Sequence, residues 1–250
     1  MKMKKNIFVV GTGRSGTHWL GYILESCPEI NTNIERWPIF GWVTQAAVNH
    51  KKRGKLLPLI ILYYRITSFF SKKHIADKSH PNIWLIEKIM KYVPNSYFIG
   101  IIRNPHPTVS SMLLHDGVSK WIKEWKKYPI PNEFLGITNQ NVEQYSKMQL
   151  EAKCTMRWIA HRTKFNEIEE KYPDKFLMID YEKLFDNAEE QLDKVKLFLE
   201  LHNDLPLPEI KQESKLKWRS NLNNEQIKII NKTLADNNYS TYRVNNSNKN

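Results

Sequence analysis

Cysteine is scarce in this chain. Its two cysteines, Cys27 and Cys154, stand far apart in 250 residues and lack the paired spacing of a metal site. They read as reduced, structural residues of a cytosol-like compartment, which excludes a disulfide-framed fold. Long apolar runs are also lacking. Leu56–Phe70 is the longest, is interrupted by Arg65, and at about 15 residues is shorter than the ~18–20 needed to span a bilayer. It is expected to be a buried or groove-lining helix, with no stable membrane insertion. Behind the basic Met1–Lys5 the apolar stretch is too short for a secretory leader, so a cytoplasmic location is expected. Acid is in short supply: 26 Asp and Glu face 38 Lys and Arg, a net charge of +12. That balance suits a polyanionic partner, whether nucleic acid, anionic membrane, nucleotide or acidic glycan, and does not choose among them. No internal repeat is present.

Glycine is sparse too, nine in all, yet three fall together in G-T-G-R-S-G-T, Gly11–Thr17. The preceding Asn6–Val10, N-I-F-V-V, reads as a strand, and the following residues continue at helical spacing through Leu20, Ile23 and Leu24. A strand, a Gly-rich turn and a helix N-terminus make an anion site, because successive backbone N–H groups point inward and the helix end adds about half a positive charge. Arg14 can fork onto anionic oxygens, and Ser15 and Thr17 add hydroxyls. Two familiar loops compete. In the triphosphatase pattern G-x-x-x-x-G-K-[ST], Gly11 and Gly16 are correctly separated, but Thr17 stands where the Lys belongs. The dinucleotide pattern G-x-G-x-x-G matches Gly11, Gly13 and Gly16, with Glu35 as the acid that pattern requires further on.

The chain then reads as alternating elements. Ile30–Ile34 is a short strand with Glu35 at its carboxyl end, where ligands collect in parallel α/β sheets. Trp37–Asn49 is helical, His50–Lys55 a basic turn, and Leu56–Phe70 the apolar helix. Ser71–His80 is a polar loop containing Asp77-Lys78, and Asn82–Tyr92 a helix. Tyr97–Ile102, Y-F-I-G-I-I, is apolar on both faces, as a central parallel strand should be. It ends in Arg103-Asn104-Pro105, and a helix carrying Thr108, Ser110 and Ser111 follows. Arg103 and Ser111 are placed to clamp a second phosphate. Trp121 and Trp125 suit core or lid packing, Pro129–Asn141 is a loop, and Glu143–Tyr172 is one long helical stretch with a basic run at Arg157, His161, Arg162 and Lys164. Lys175–Asp180 is another buried strand. Ala188–Leu201 and Asn223–Asp236 are helices, with a Pro-containing connector at Leu205–Glu213. An Arg rather than an Asp after Tyr97–Ile102 argues against both the triphosphatase and the dinucleotide readings.

The pairing of G-T-G-R-S-G-T with I-I-R-N-P-H-P-T-V-S-S resembles the sulfotransferases that use 3′-phosphoadenosine 5′-phosphosulfate (PAPS). It is most similar to the carbohydrate and tyrosylprotein branch, whose loop carries R-S-G-T. Ile34-Glu35-Arg36 stands where the tyrosylprotein enzymes have their catalytic Glu. Asp77-Lys78 resembles their short Lys motif, although Ser79 departs from its K-x-P form. F-L-M-I-D-Y-E-K-L-F matches the strand followed by Y-E-x-L, and Lys217-Trp218-Arg219 the terminal K-W element. The resemblance covers most of the chain.

The resemblance implies an α/β fold of three layers around a central, mostly parallel sheet, P-loop-like. It implies one domain over 1–244 with a helical insert near 50–81, a lid-like segment near 117–141 and a disordered tail at 245–250. Gly13, Arg14, Ser15, Gly16, Thr17 and His18 would hold the 5′-phosphosulfate of PAPS, and Arg103 and Ser111 its 3′-phosphate. Tyr181, Lys217 and Trp218 would close over the nucleotide. Glu35 would be the base, Arg14 and Lys78 would face the sulfuryl and leaving oxygens, and His18, which replaces a usual Thr, is a rival proton carrier. No metal is expected, since sulfate carries less charge than phosphate and Arg and Lys suffice. The expected partner is a small-molecule or glycan acceptor and not nucleic acid; oligomeric state stays open. The alternatives are a nucleotide kinase or triphosphatase, and a non-enzymatic basic protein that binds RNA or glycan.

Overall fold

The apolar, β-branched run Asn6–Gly11 forms β1 and is buried along its whole length. In chain order it is followed by α1 (Thr17–Glu25), β2 (Ile30–Ile34), α2 (Ile39–Val48), α3 (His50–Phe70), β3 (His74–Lys78), α4 (Ile86–Tyr92), β4 (Ser96–Ile102), α5 (Pro105–Leu113), α6 (Asp116–Lys123), α7 (Val142–Lys147), α8 (Leu150–Lys171), β5 (Phe176–Asp180), α9 (Tyr181–Asp186), α10 (Ala188–Leu199), α11 (Glu213–Leu216), α12 (Trp218–Asn221) and α13 (Asn224–Asp236). The computed structural model describes residues 4–207 and 213–242. The expected tail at 245–250 and part of the expected connector at 205–213 lie outside them. Two compact units divide the chain, Met1–Ile102 with Lys164–Ile210, and Arg103–Thr163 with Lys211–Asn250.

The first unit holds a five-stranded sheet in the order β2-β3-β1-β4-β5, every neighbouring pair parallel. One face carries Ile7, Val9, Ile99, Ile101 and Ile179 against Leu20, Ile23 and Leu24 of α1 and Leu192, Val195 and Leu199 of α10. Each such side chain contributes about 1.5–3 kcal/mol when fully removed from water. The opposite face carries Phe8 and Phe98, stacked with centroids 5.0 Å apart, and Tyr64 of α3 meets Phe8 edge-on at 4.9 Å. Gly100 belongs to that face for want of room: a Cβ there would stand 2.5 Å from the Phe176 ring and 2.7 Å from that of Phe165. Helix, sheet and helix make the three layers expected of an α/β fold.

The expected loop at Ser71–His80 is instead β3, which lies between β2 and β1. Its H-I-A-D-K sequence lacks an apolar pattern because the buried Asp77 is paid for by polar partners. Tyr64 donates its hydroxyl to Asp77 Oδ1 at 3.1 Å, Asn82 Nδ2 donates to the same oxygen at 3.1 Å, and Asn33 Nδ2 donates to Oδ2 at 2.7 Å. The expected turn at His50–Lys55 is the first stretch of α3. Asn49 caps it by accepting from the N–H groups of Lys51 and Lys52, and the helix runs on through Gly54 and Pro58. Of the helix expected to be buried or to line a groove, only Ile60 and Tyr64 are buried, so α3 lies on the unit with one face turned out. The expected helix at Asn82–Tyr92 is a 3-10 turn, His80–Leu85, leading into α4.

In the second unit the expected single helix at Glu143–Tyr172 is two, α7 and the α8 that extends beyond the unit, broken near Met148. Trp121 meets Phe134 and Trp125 meets Tyr145, both edge-on, with Trp125 buried and Trp121 partly so, in keeping with the packing role, core or lid, that their spacing suggested. Within the expected basic run, Arg157 and His161 are fully buried. The Arg157 guanidinium lies over the Phe134 ring at 4.7 Å and reaches the Met112 sulfur at 3.7 Å, while its Nε and Nη2 are buried without a hydrogen-bond partner. Burial pushes its pKa down to about 10.

Two stability tests arise here. Burial raises the Asp77 carboxyl to about 6, against hydrogen bonds from Ser79, Tyr64 and Asn33 that oppose the shift. The folded state therefore holds this proton more tightly than the unfolded chain. The contribution is most favourable below the unfolded pKa and is lost as pH rises through about 6. Wild type should lose about 2–3 kcal/mol relative to Asp77→Asn between pH 4 and 7 in urea unfolding; a pH-independent offset between the two would contradict this. For Arg157, exchange for an apolar side chain of similar length removes the cost of a buried cation without a carboxylate. Arg157→Met should raise the melting temperature by about 2–5 °C, and a fall would show that the guanidinium stabilises the fold.

Candidate active site

Parallel pairing brings three strand ends together in the first unit. Ile34 of β2 pairs with Lys78 of β3, and β3 lies against β1, whose last residue opens the Gly-rich loop. Glu35, Lys78 and the loop therefore converge at the carboxyl edge of the sheet, the edge at which ligands bind in such folds.

The loop takes the left-handed backbone that its glycines permit. Gly13 has φ 72° and Gly16 φ 95°, and Arg14 between them is held at φ 65°, a conformation rare for a residue with a Cβ. Gly16 is the N-cap of α1; no side chain caps the helix and no acidic residue stands in its first turn. The helix thus starts with its positive end free of any acidic residue of its own first turn. The buried Ser15 hydroxyl, beside this turn, has no hydrogen-bond partner. Arg14 is exposed and Thr17 buried. Tyr181, the first residue of α9, covers the turn so closely that a Cβ on Gly16 would lie 2.3 Å from its ring. Asp180 holds that helix start by accepting from the N–H groups of Glu182 and Lys183.

Four side chains meet beside the loop. The Lys78 ammonium, with 1% of its side chain exposed, is ion-paired with Glu35 Oε1 and lies 2.9 Å from His18 Nδ1. His18 Nε2 is 3.4 Å from Glu35 Oε2, and His80 Nδ1 is 3.1 Å from Glu35 Oε1. Burial works to raise the Glu35 pKa. Hydrogen bonds from His18 and His80 and the charges of His80 and Lys78 outweigh it, and the carboxyl is held well below the usual carboxylate range. Burial lowers Lys78, against the attraction of Glu35, and the charge of Arg14 adds to the lowering. The two cations therefore share one field. Glu35 itself sits at φ 48° and donates its backbone N–H to the Lys78 carbonyl at 3.2 Å, so a strained backbone is pinned where the carboxylate is needed. The donor set is suited to an anionic group in the loop, and the carboxylate beside it to a proton.

Gly13 to His18, Glu35, Lys78 and Tyr181 are thus assembled in one unit. Arg103, Ser111, Lys217 and Trp218 belong to the other. There Arg103 precedes α5 and its carbonyl accepts from Trp158 Nε1 at 2.9 Å, and Ser111 is on α5. Trp218 is buried against His106 of α5, ring centroids 5.3 Å apart, and carries Arg219 over its face at 5.0 Å; Lys217 is exposed. His80 is the residue the sequence reading missed. It is buried, bonded to Glu35 and packed under Gly13, where a Cβ would stand 2.9 Å from its Nε2. The available signal was its position two residues beyond Lys78: had β3 been recognised, the two would fall on the same side.

Comparison with known proteins places this geometry. No curated protein matches the chain. Among solved structures, the sulfotransferase domain from the curacin biosynthetic pathway superposes with a TM-score of 0.61 at 11% identity, covering 96% of this chain and 99% of that one. The sulfotransferase from Alicyclobacillus acidocaldarius gives 0.52 at 12%, covering 93% and 96%. Mouse sulfotransferase SULT7A1 complexed with PAP gives 0.53 at 16%, covering 95% and 87%. At these identities the likeness is one of fold. The family model described as the sulfotransferase domain matches residues 4–249, almost the whole sequence, and the chain therefore belongs to the sulfotransferase-domain family.

Proposed function

We propose that this sulfotransferase moves a sulfuryl group to the hydroxyl of a carbohydrate or another small hydroxylated ring, with Glu35 as the base. The observation that carries the reading is the meeting of Glu35, Lys78 and the Gly13–His18 loop at three neighbouring strand ends. PAPS, the donor used by the family, supplies the sulfuryl group on a 5′-phosphate. The loop N–H groups, Arg14, the buried Ser15 hydroxyl and Thr17 would hold the phosphosulfate, with Tyr181 closing over it. Arg103 and Ser111 would hold the 3′-phosphate, with Lys217 and Trp218 against the nucleotide; these roles rest on the family pattern.

The reaction requires an acceptor oxygen in line, a sink for its proton, and cations for charge on the equatorial and leaving oxygens. Lys78 and Arg14 provide the cations. Hydrogen bonds from His18 and His80, with the charges of His80 and Lys78, keep Glu35 ionised but weakly basic. When the ammonium turns toward the donor's oxygens, Glu35 loses one of its counter-charges and regains proton affinity as the acceptor arrives. His80 and His18 hold the carboxylate on either side. Tyr22, whose ring is 6.3 Å from that of His18, and Phe40, 5.9 Å from His80, suit a ring-bearing acceptor beside the base.

Two experiments test it. With an acceptor found by screening labelled PAPS, Glu35→Gln should lower kcat about 10²–10⁴-fold while nucleotide affinity is kept. Full activity in that variant, with loss in His18→Ala or His80→Asn, would move the base to a histidine. Separately, adenosine 3′,5′-bisphosphate at about 100 times its Kd should raise the melting temperature by roughly 5–10 °C. ATP with magnesium or RNA should not, and Arg14→Ala and Arg103→Ala should each diminish the shift. Equal stabilisation by ATP with magnesium would favour the kinase reading.

A further inference from the structure

Helix α3 turns an unusual face outward. Leu59, Leu62, Ile66, Phe69 and Phe70 are exposed, the two phenylalanines at 78% each. At 100° per residue these five fall within about a third of the helix circumference. Lys51, Lys52 and Lys55, also exposed, continue the same stripe toward the N-terminus, and exposed Lys72 and Lys73 follow its C-terminal end. The roll of the helix is fixed from inside. Ile60 and Tyr64 are buried, Tyr64 donates to Asp77 and accepts from Asn82 Nδ2 at 2.8 Å, and its ring packs on Phe8. The stripe is therefore not able to turn inward without breaking that network.

Charge identifies the occupant. From Trp37 to Ala76 the sequence has no Asp or Glu and seven Lys or Arg, more than half of the chain's net +12. A second copy of this face would set lysines against lysines with no acid to neutralise them. A surface that is apolar within and anionic at its boundary matches both halves of the stripe. No helix among the described residues is long and apolar enough to cross a membrane, so the contact is peripheral.

We propose that the outer face of α3 docks on an anionic lipid bilayer. Phe69, Phe70, Leu62, Ile66 and Leu59 enter the headgroup–acyl boundary while Lys51, Lys52 and Lys55 meet acidic headgroups. Apolar burial and several basic residues together provide the two signals that stable peripheral attachment requires. This surface is independent of the base assignment above.

The test is co-sedimentation of the whole chain with phosphatidylcholine vesicles, with or without roughly 30% phosphatidylserine. Wild type should sediment with the anionic vesicles, be released by high salt, and stay in solution with the neutral ones. Phe69→Ser with Phe70→Ser, and Lys51→Glu with Lys52→Glu and Lys55→Glu, should each lower the partition about ten-fold or more. Both should keep the wild-type melting temperature, since the replaced side chains face outward. Three results would overturn the proposal: no sedimentation of wild type, undiminished binding by both variants, or a wild-type dimer that the phenylalanine variant dissociates while neither binds vesicles. The last would make the face a self-association surface.

Discussion

Lys78 brings its ammonium almost wholly out of water to the end of β3, and the Glu35 carboxylate meets it from the end of β2. A buried ammonium is costly unless a carboxylate and hydrogen bonds compensate it. The pair therefore requires the one-to-one register of β2 on β3, the left-handed backbone at Glu35, and the two histidines that hold the carboxylate from either side. It also requires Asp77, the preceding residue, to be satisfied inside the sheet by Tyr64, Asn33 and Asn82. Polar residues in a sheet interior are expensive unless their partners are supplied, and here Tyr64, Asn33 and Asn82 supply them.

The Gly-rich loop completes the arrangement from β1. Its backbone and the start of α1 offer donors and a positive dipole without a side-chain cap, while the charge of Arg14 extends to Lys78. Under the proposed function, an anion in the loop and the carboxylate of Glu35 would compete for the same ammonium. That competition would link occupation of the loop to the basicity of the carboxylate, through one flexible side chain and without movement of the sheet. The stem of Lys78 is confined, since a Cβ on Gly21 of α1 would lie 3.2 Å from its Cγ, so the head group is the part with room to respond.

The sequence was legible where apolar pattern and turn chemistry coincide. β1, β2, β4 and β5 are short β-branched or apolar runs, and the loop announced itself through glycines, an arginine and hydroxyls. β3 was not legible, because Asp77 and Lys78 are buried by specific partners that only the tertiary fold supplies. For the same reason His80 passed as the end of a loop. The basic His50–Lys55 read as a turn, whereas the Asn49 cap starts α3 there and the helix carries Gly54 and Pro58 in its interior. The burial of Arg157 and His161 was not legible, because within a basic run it has no apolar signature. Of the expected site, Arg14, His18, Glu35 and Lys78 were named from sequence; that His18, Lys78 and His80 gather on Glu35 emerged from the register.

The central claim is that Lys78 is shared between Glu35 and the ligand of the loop. The direct measurement is the carboxyl carbon resonance of Glu35, followed over pH in protein labelled at glutamate, with and without adenosine 3′,5′-bisphosphate. Without ligand the carboxyl should stay ionised well below the usual carboxylate range, and with ligand its pKa should rise as the ammonium is drawn away. An identical titration in both states would contradict the account.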